Sequence, residues 1–160
     1  MKFEQRQESV RRSIAIIALS CMAVSACSTN QAVLIAKAAP DRKVVTVARM
    51  PEEDNSPQMD GYLESALQKQ GLEIKAPVPA GTRKAAGLDA IVSYVDVWRW
   101  DIVTYLKQLT VRLYDATTGD LLATGEWKDS PLHGFRDPDL AVQGLVSEMF
   151  SKLRAATVEK

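Results

Sequence analysis

Apolar positions recur along this chain with two different periods, and each change of period marks an element. Val44 to Ala48 is a short β-branched run and the first predicted strand of the domain. Asn55-Ser56-Pro57 then supplies a cap residue with proline at the first helical position. Met59, Tyr62, Leu63, Ala66 and Leu67 fall at i, i+3, i+4, i+7 and i+8, one apolar stripe of a helix that Gly71 closes. Leu72 to Val78 reads as a second strand, weakened by Pro77, which cannot donate to a ladder, and so either marginal or at an edge. Ala80 to Ala86 reads as one or two helical turns ending at Gly87. Leu88 to Trp100 is a third strand and Tyr105 to Tyr114 a fourth. Asp115 to Asp120 is a turn, and Leu121 to Trp127 returns as a fifth strand, completing a hairpin. Asp137-Pro138 caps a last helix, striped by Val142, Leu145, Val146, Met149 and Leu153.

The predicted order is therefore β-α-β-(α)-β-β-β-α, a βαβ crossover followed by an antiparallel meander. Its fold class is α/β in the loose sense (α+β-like). Two main helices pack on one face of a mixed, mostly antiparallel sheet of about five strands, a two-layer sandwich.

Before the domain the pattern is different. Met1 to Arg12 is basic, Lys2, Arg6, Arg11 and Arg12 outnumbering Glu4 and Glu8. Ser13 to Ala26 then carries no charge for 14 residues, too short for a spanning helix, which needs ~20. A basic flank, a short apolar run and small residues before a cut form a secretory signal. The run closes on Val24-Ser25-Ala26-Cys27, which resembles the lipobox of bacterial lipoproteins. An ordinary signal cut after Ala26 would need no cysteine behind it. The resemblance implies that Cys27 is acylated and becomes the first mature residue. Two or more acyl chains anchor stably where one does not. Ser28 behind it implies, by likeness to Gram-negative lipoproteins, transfer to the outer membrane. The expected layout is a signal peptide over 1–26, a lipidated tether over 27–43 and one α/β domain over 44–160. Within the tether the apolar insert Ala32-Val33-Leu34-Ile35-Ala36 either docks on the domain or sits near lipid headgroups.

Charge narrows the partners. The whole chain carries 20 basic and 20 acidic side chains; without residues 1–26 it keeps 16 and 18. That balance lacks the basic surplus of a nucleic-acid binder, so membrane binding falls to the lipid. Cys21 leaves with the signal, and Cys27 is then the mature chain's only thiol, with no disulfide to form.

The densest chemistry lies in Tyr94-Val95-Asp96-Val97-Trp98-Arg99-Trp100-Asp101. Strand side chains alternate, so Val92, Tyr94, Asp96, Trp98 and Trp100 share one face and Ile91, Ser93, Val95, Val97 and Arg99 the other. The smaller aliphatic face is expected to pack on the helices. The aromatic face with its carboxylate is then open, either as cross-strand packing or as a contact patch for a protein or a glycan. Tyr94, Asp96, Trp98 and Trp100 are the candidate interaction residues.

No catalytic set, cofactor site or metal site is expected. His133 is the chain's one histidine and has no mature thiol to join it in a transition-metal site. Asp137 and Asp139 suit a helix start. Gly81-Thr82-Arg83-Lys84 lacks the ending and spacing of a phosphate loop, and Glu52-Glu53-Asp54 reads as a solvated lead into a helix.

Over residues 60 to 155, the motifs Gly87-Leu88-Asp89-Ala90, Tyr94-x-Asp96-x-Trp98-x-Trp100-Asp101 and Arg112-Leu113-Tyr114-Asp115-x-x-Thr118-Gly119-x-Leu121-Leu122-Ala123 resemble a family of small, uncharacterised lipoproteins of Gram-negative bacteria. The element order is also similar to the amino-terminal domain of the Tol-Pal propeller protein. Those resemblances imply a non-enzymatic, outer-membrane-anchored module facing the periplasm. Its partners would be membrane lipid through Cys27, and an envelope protein or further copies of itself, with no nucleic acid. The alternative is a small-ligand or glycan-binding lipoprotein using the aromatic face.

Overall fold

In the computed structural model, residues 29–36, 43–130 and 135–158 are described. The span expected to be an export segment (1–26), Cys27 and His133 lie outside them. Eight elements follow in order: β1 (Asn30–Ile35), β2 (Thr46–Arg49), α1 (Pro57–Lys69), β3 (Glu73–Lys75), β4 (Ala90–Trp100), β5 (Thr104–Asp115), β6 (Leu121–Lys128) and α2 (Pro138–Val158). The strands form one sheet in the order β1-β6-β5-β4-β2-β3. β2 is parallel to both β3 and β4, with α1 as the crossover, and the remaining pairs are antiparallel. The fold is a two-layer α/β sandwich, as the pattern predicts.

Each strand shows why it forms. On β5, Leu109, Val111 and Leu113 are buried while Gln108, Thr110 and Arg112 alternate with them at the other face. On β6, Ala123, Gly125 and Trp127 point the same way, opposite Thr124 and Glu126. At the β5–β6 turn Asp115 Oδ1 accepts from the amides of Thr117 at 2.7 Å and Thr118 at 2.9 Å. Gly119 completes that turn at φ 82°, a left-handed conformation costly for a residue with a Cβ.

Helices and sheet meet over Val47, Met59, Leu63, Tyr94, Val111, Leu145 and Met149, all buried. Gly125 sets how closely α2 lies on β6. A Cβ added there would stand 2.5 Å from Met149 Sδ and 3.0 Å from Leu145 Cδ1. α2 starts as expected, the Asp139 amide donating to Asp137 Oδ1 at 2.9 Å.

Four expectations change. The sheet has six strands rather than about five, because Asn30–Ile35, inside the span read as a tether, pairs with β6. Val33 alternates into the core while Leu34 faces out, a strand pattern masked by short length and polar flanks. Residues 80–86 form turns rather than helix. The segment instead carries Val78, Ala85 and Leu88 across the sheet's second face to cover Met50, Ile91 and Ala116. The strand predicted over Leu72 to Val78 is confined to β3, which stops before Pro77 and sits at an edge.

The fourth change concerns β4. Alternation along it holds, but the faces are exchanged. Val92 and Tyr94 lie in the core beneath the helices, whereas Val95 is exposed on the opposite side. Side-chain size did not decide this. Tyr94 and Trp98 have polar tips that find partners at the start of α1, so the larger residues pack inward without stranding a donor.

Candidate functional site

The candidate residues separate into a buried group and an exposed one. Tyr94 is 0 % and Asp96 7 % exposed, with Trp98 packed against the core beside them. Asp96 is a hub. Its Oδ1 accepts from the Ser56 amide at 3.3 Å, and its Oδ2 from the Ser56 hydroxyl and the Trp98 indole N–H. Ser56 is the residue just before α1, and its hydroxyl turns to this carboxylate instead of capping its own helix. The indole nitrogen also lies 3.2 Å from Ser56 Oγ.

One turn along, the Tyr94 hydroxyl donates to Asp60 Oδ1 and lies 3.2 Å from the Ser56 carbonyl. Asp60 in turn pairs with Arg49 of β2 at 3.1 Å, and Arg49 Nε is 3.7 Å from Glu64. Burial and the neighbouring Asp60 carboxylate push the Tyr94 phenol well above its ordinary pKa. Asn55 closes the group, donating from Nδ2 to the Tyr94 carbonyl and accepting the Glu52 amide, each at 2.8 Å. These groups bind one another. The arrangement fixes the start of α1 on β4 and β2, and no sugar-stacking platform of Tyr94, Trp98 and Trp100 is formed.

Trp100 is different: it is 77 % exposed. A register shift between Val97 and Trp98 lets β4 and β5 run on as a two-stranded arm to Trp100 and Thr104. At the tip stand Ile102, 80 % exposed, and Val103. This tip lies at the end of the sheet where both helices begin. There Leu140 is 65 % exposed, and Phe135 meets Tyr105 edge-on with centroids 5.9 Å apart. A cavity of about 310 Å³ between Thr29, Gln31, Trp127 and Leu140 joins the start of β1 to the start of α2. The sequence reading passed over Ile102, Val103, Phe135 and Leu140. An apolar Ile-Val pair at a hairpin tip, where turn residues are usually polar, was the available signal.

The opposite end of the sheet carries an open groove of about 660 Å³, bordered by Thr46, Lys84, Gly87, Asp89 and Thr117. Asp89 Oδ2 accepts from the amides of Val45 and Thr46 and from the Thr46 hydroxyl, which ties β2 to the root of β4. Arg83 stacks over the Tyr114 ring at 4.0 Å. Among the described residues no three His, Cys, Asp or Glu side chains gather as metal ligands, and no helix is long and apolar enough to cross a membrane.

No family model matches this chain, and no curated protein matches it. Solved structures do. The PelC dodecamer from Paraburkholderia phytofirmans is similar at 15 % identity with a TM-score of 0.51, covering 79 % of this chain and 97 % of that one. A DUF4136 family protein from Bacteroides thetaiotaomicron is similar at 12 % identity and a TM-score of 0.46, covering 82 % and 98 %. TolB from Acinetobacter baumannii is similar at 16 % identity and a TM-score of 0.45, covering 78 % of this chain and 32 % of that one. At such identities the PelC likeness is one of fold, which does not carry function with it.

The sheet face turned away from the helices is the remaining broad surface. Its uncovered part presents Val95, Thr110, Arg112, Thr124 and Glu126 side by side on β4, β5 and β6. It is largely polar, with both signs of charge.

Proposed function

We propose that this protein is an outer-membrane lipoprotein, held by acyl chains on Cys27, whose α/β domain faces the periplasm. The domain acts as a non-catalytic module that contacts envelope proteins or further copies of itself. The export segment and the lipobox-like Val24-Ser25-Ala26-Cys27 support the address. One structural observation carries the interaction reading: the two-layer sandwich leaves a mixed-charge sheet face without helices on it, while Asp96, Tyr94, Asp60 and Asp89 are bound up in structural hydrogen bonds. PelC, which shares the fold, forms a dodecamer, so self-association is the first partnership to test.

A photo-crosslinking residue placed in the cell at Thr110 or Thr124 should give a discrete adduct, identified by mass as a second copy or by peptide sequencing as an envelope protein. Protein that stays monomeric at both positions would remove this face as a contact surface. Palmitate incorporation that depends on Cys27 tests the anchor separately.

A further inference from the structure

The register of the sheet places the apolar hairpin tip and the approach to Cys27 at the same end of the molecule. Asn30, the first residue of β1, pairs with Lys128; Lys128 pairs with Gln108, and Gln108 with Val97. Those four residues form one level across four strands. Beyond it β4 continues through Trp98, Arg99 and Trp100, so the tip reaches about 10 Å past the level of Asn30 at ~3.3 Å per residue. Cys27 is three residues before Asn30 in the sequence, so its Cα stands within about 11 Å of that same level, at ~3.8 Å per Cα step. Three residues of chain are thus long enough to bring Cys27 to the depth of Trp100.

We propose that this end of the domain docks on the lipid surface that holds the Cys27 acyl chains, with Trp100, Ile102 and Val103 entering the interface and Leu140 and Phe135 at its rim. The inference rests on the anchoring reading above. Trp, Ile, Val, Phe and Leu are costly to leave in water as a group, and indole rings favour the headgroup level. Of the exposed large apolar side chains among the described residues, these five cluster at this end; Leu34, Val45, Val95 and Leu121 lie apart on the sheet or at the far end. With β1 starting so near the anchor there is no long tether to lift the domain away. Lipid on one side and the hairpin on the other give two separate supports, which hold the strands upright on the membrane and turn the uncovered sheet face sideways.

The test uses the full lipidated chain in phosphatidylethanolamine–phosphatidylglycerol vesicles whose acyl chains carry bromine, a short-range quencher of indole fluorescence. Trp127 is buried and Trp98 is packed against the core, so the quenched signal should come from Trp100 and be largely lost in Trp100→Phe. Ile102→Asp should also lose quenching while the protein still floats with the vesicles. Unquenched Trp100 in protein that carries its acyl chains and co-floats would overturn the docking alone. Protein that carries no acyl chains would overturn the anchoring reading, and this inference with it. Circular dichroism unchanged in both variants shows that the exposed tip is not needed for folding.

Discussion

Asp96 satisfies three donors at one carboxylate, and the cost of losing it follows from that count. Asp96→Ala would leave the Ser56 amide and the Ser56 hydroxyl without their acceptor, and the Trp98 indole with only the Ser56 hydroxyl at 3.2 Å. Stability should fall by about 2–4 kcal/mol, read as a lower urea midpoint with an unchanged slope. Asp96→Asn, which keeps the shape and one acceptor oxygen, should cost less than the alanine. The same residue marks what was legible. Alternation grouped Tyr94, Asp96 and Trp98 on one face, and the three do meet the start of α1 together. Which face met the helices was not legible, because it depends on Ser56 and Asp60, some 40 positions away, meeting those polar tips. Trp100 keeps its place among the contact candidates by exposure, and Tyr94 and Asp96 leave it by burial.

At the scale of elements, β1 depends on α2 as well as on β6. The Gln31 amide donates to Glu148, Lys152 pairs with Glu148 at 2.7 Å, and Lys152 Nζ also reaches the Val33 carbonyl. Lys152 and Gln31 hold the Glu148 carboxyl below its ordinary pKa. A carboxyl whose pKa is depressed on folding stabilises above the unfolded value and loses that contribution as pH falls through the folded one. Hydrogen exchange should therefore show β1 amides opening more readily as pH drops below the ordinary glutamate range, after correction for intrinsic exchange, and Glu148→Gln should flatten that dependence. The effect is small, since the ion pair is solvent-exposed. The helices α1 and α2 were readable from their stripes and caps, whereas β1 was not. Five apolar residues between polar flanks look alike as a linker and as an edge strand, and only pairing with β6 distinguishes them.

At the scale of the whole molecule, the spacing between layers hangs on Gly125. Any side chain there meets Met149 and Leu145 of α2, so Gly125→Ala should cost about 1–3 kcal/mol by overpacking and Gly125→Val more, read as a lower melting temperature. A Met149→Ala background, which empties the space above, should recover part of the loss. The two-layer class was legible because both helices carry a single apolar stripe and the late strands alternate. The exposed apolar end of the molecule was not, since it joins residues 100–103 to residues 135 and 140 only after folding.

The pairing of β1 with β6 also fixes an order of events. β1 comes first along the domain and its partner comes last among the strands, with Asn30 lying against Lys128. As the chain emerges amino end first, the residues of β1 must wait for nearly the whole sheet before they find a neighbour. The meander β4–β5–β6 is built of adjacent hairpins and can assemble early; the first strand closes the structure, a long-range contact of the kind that slows folding. On the proposed anchoring at Cys27, the end of the domain that meets the lipid is thus the last to be completed.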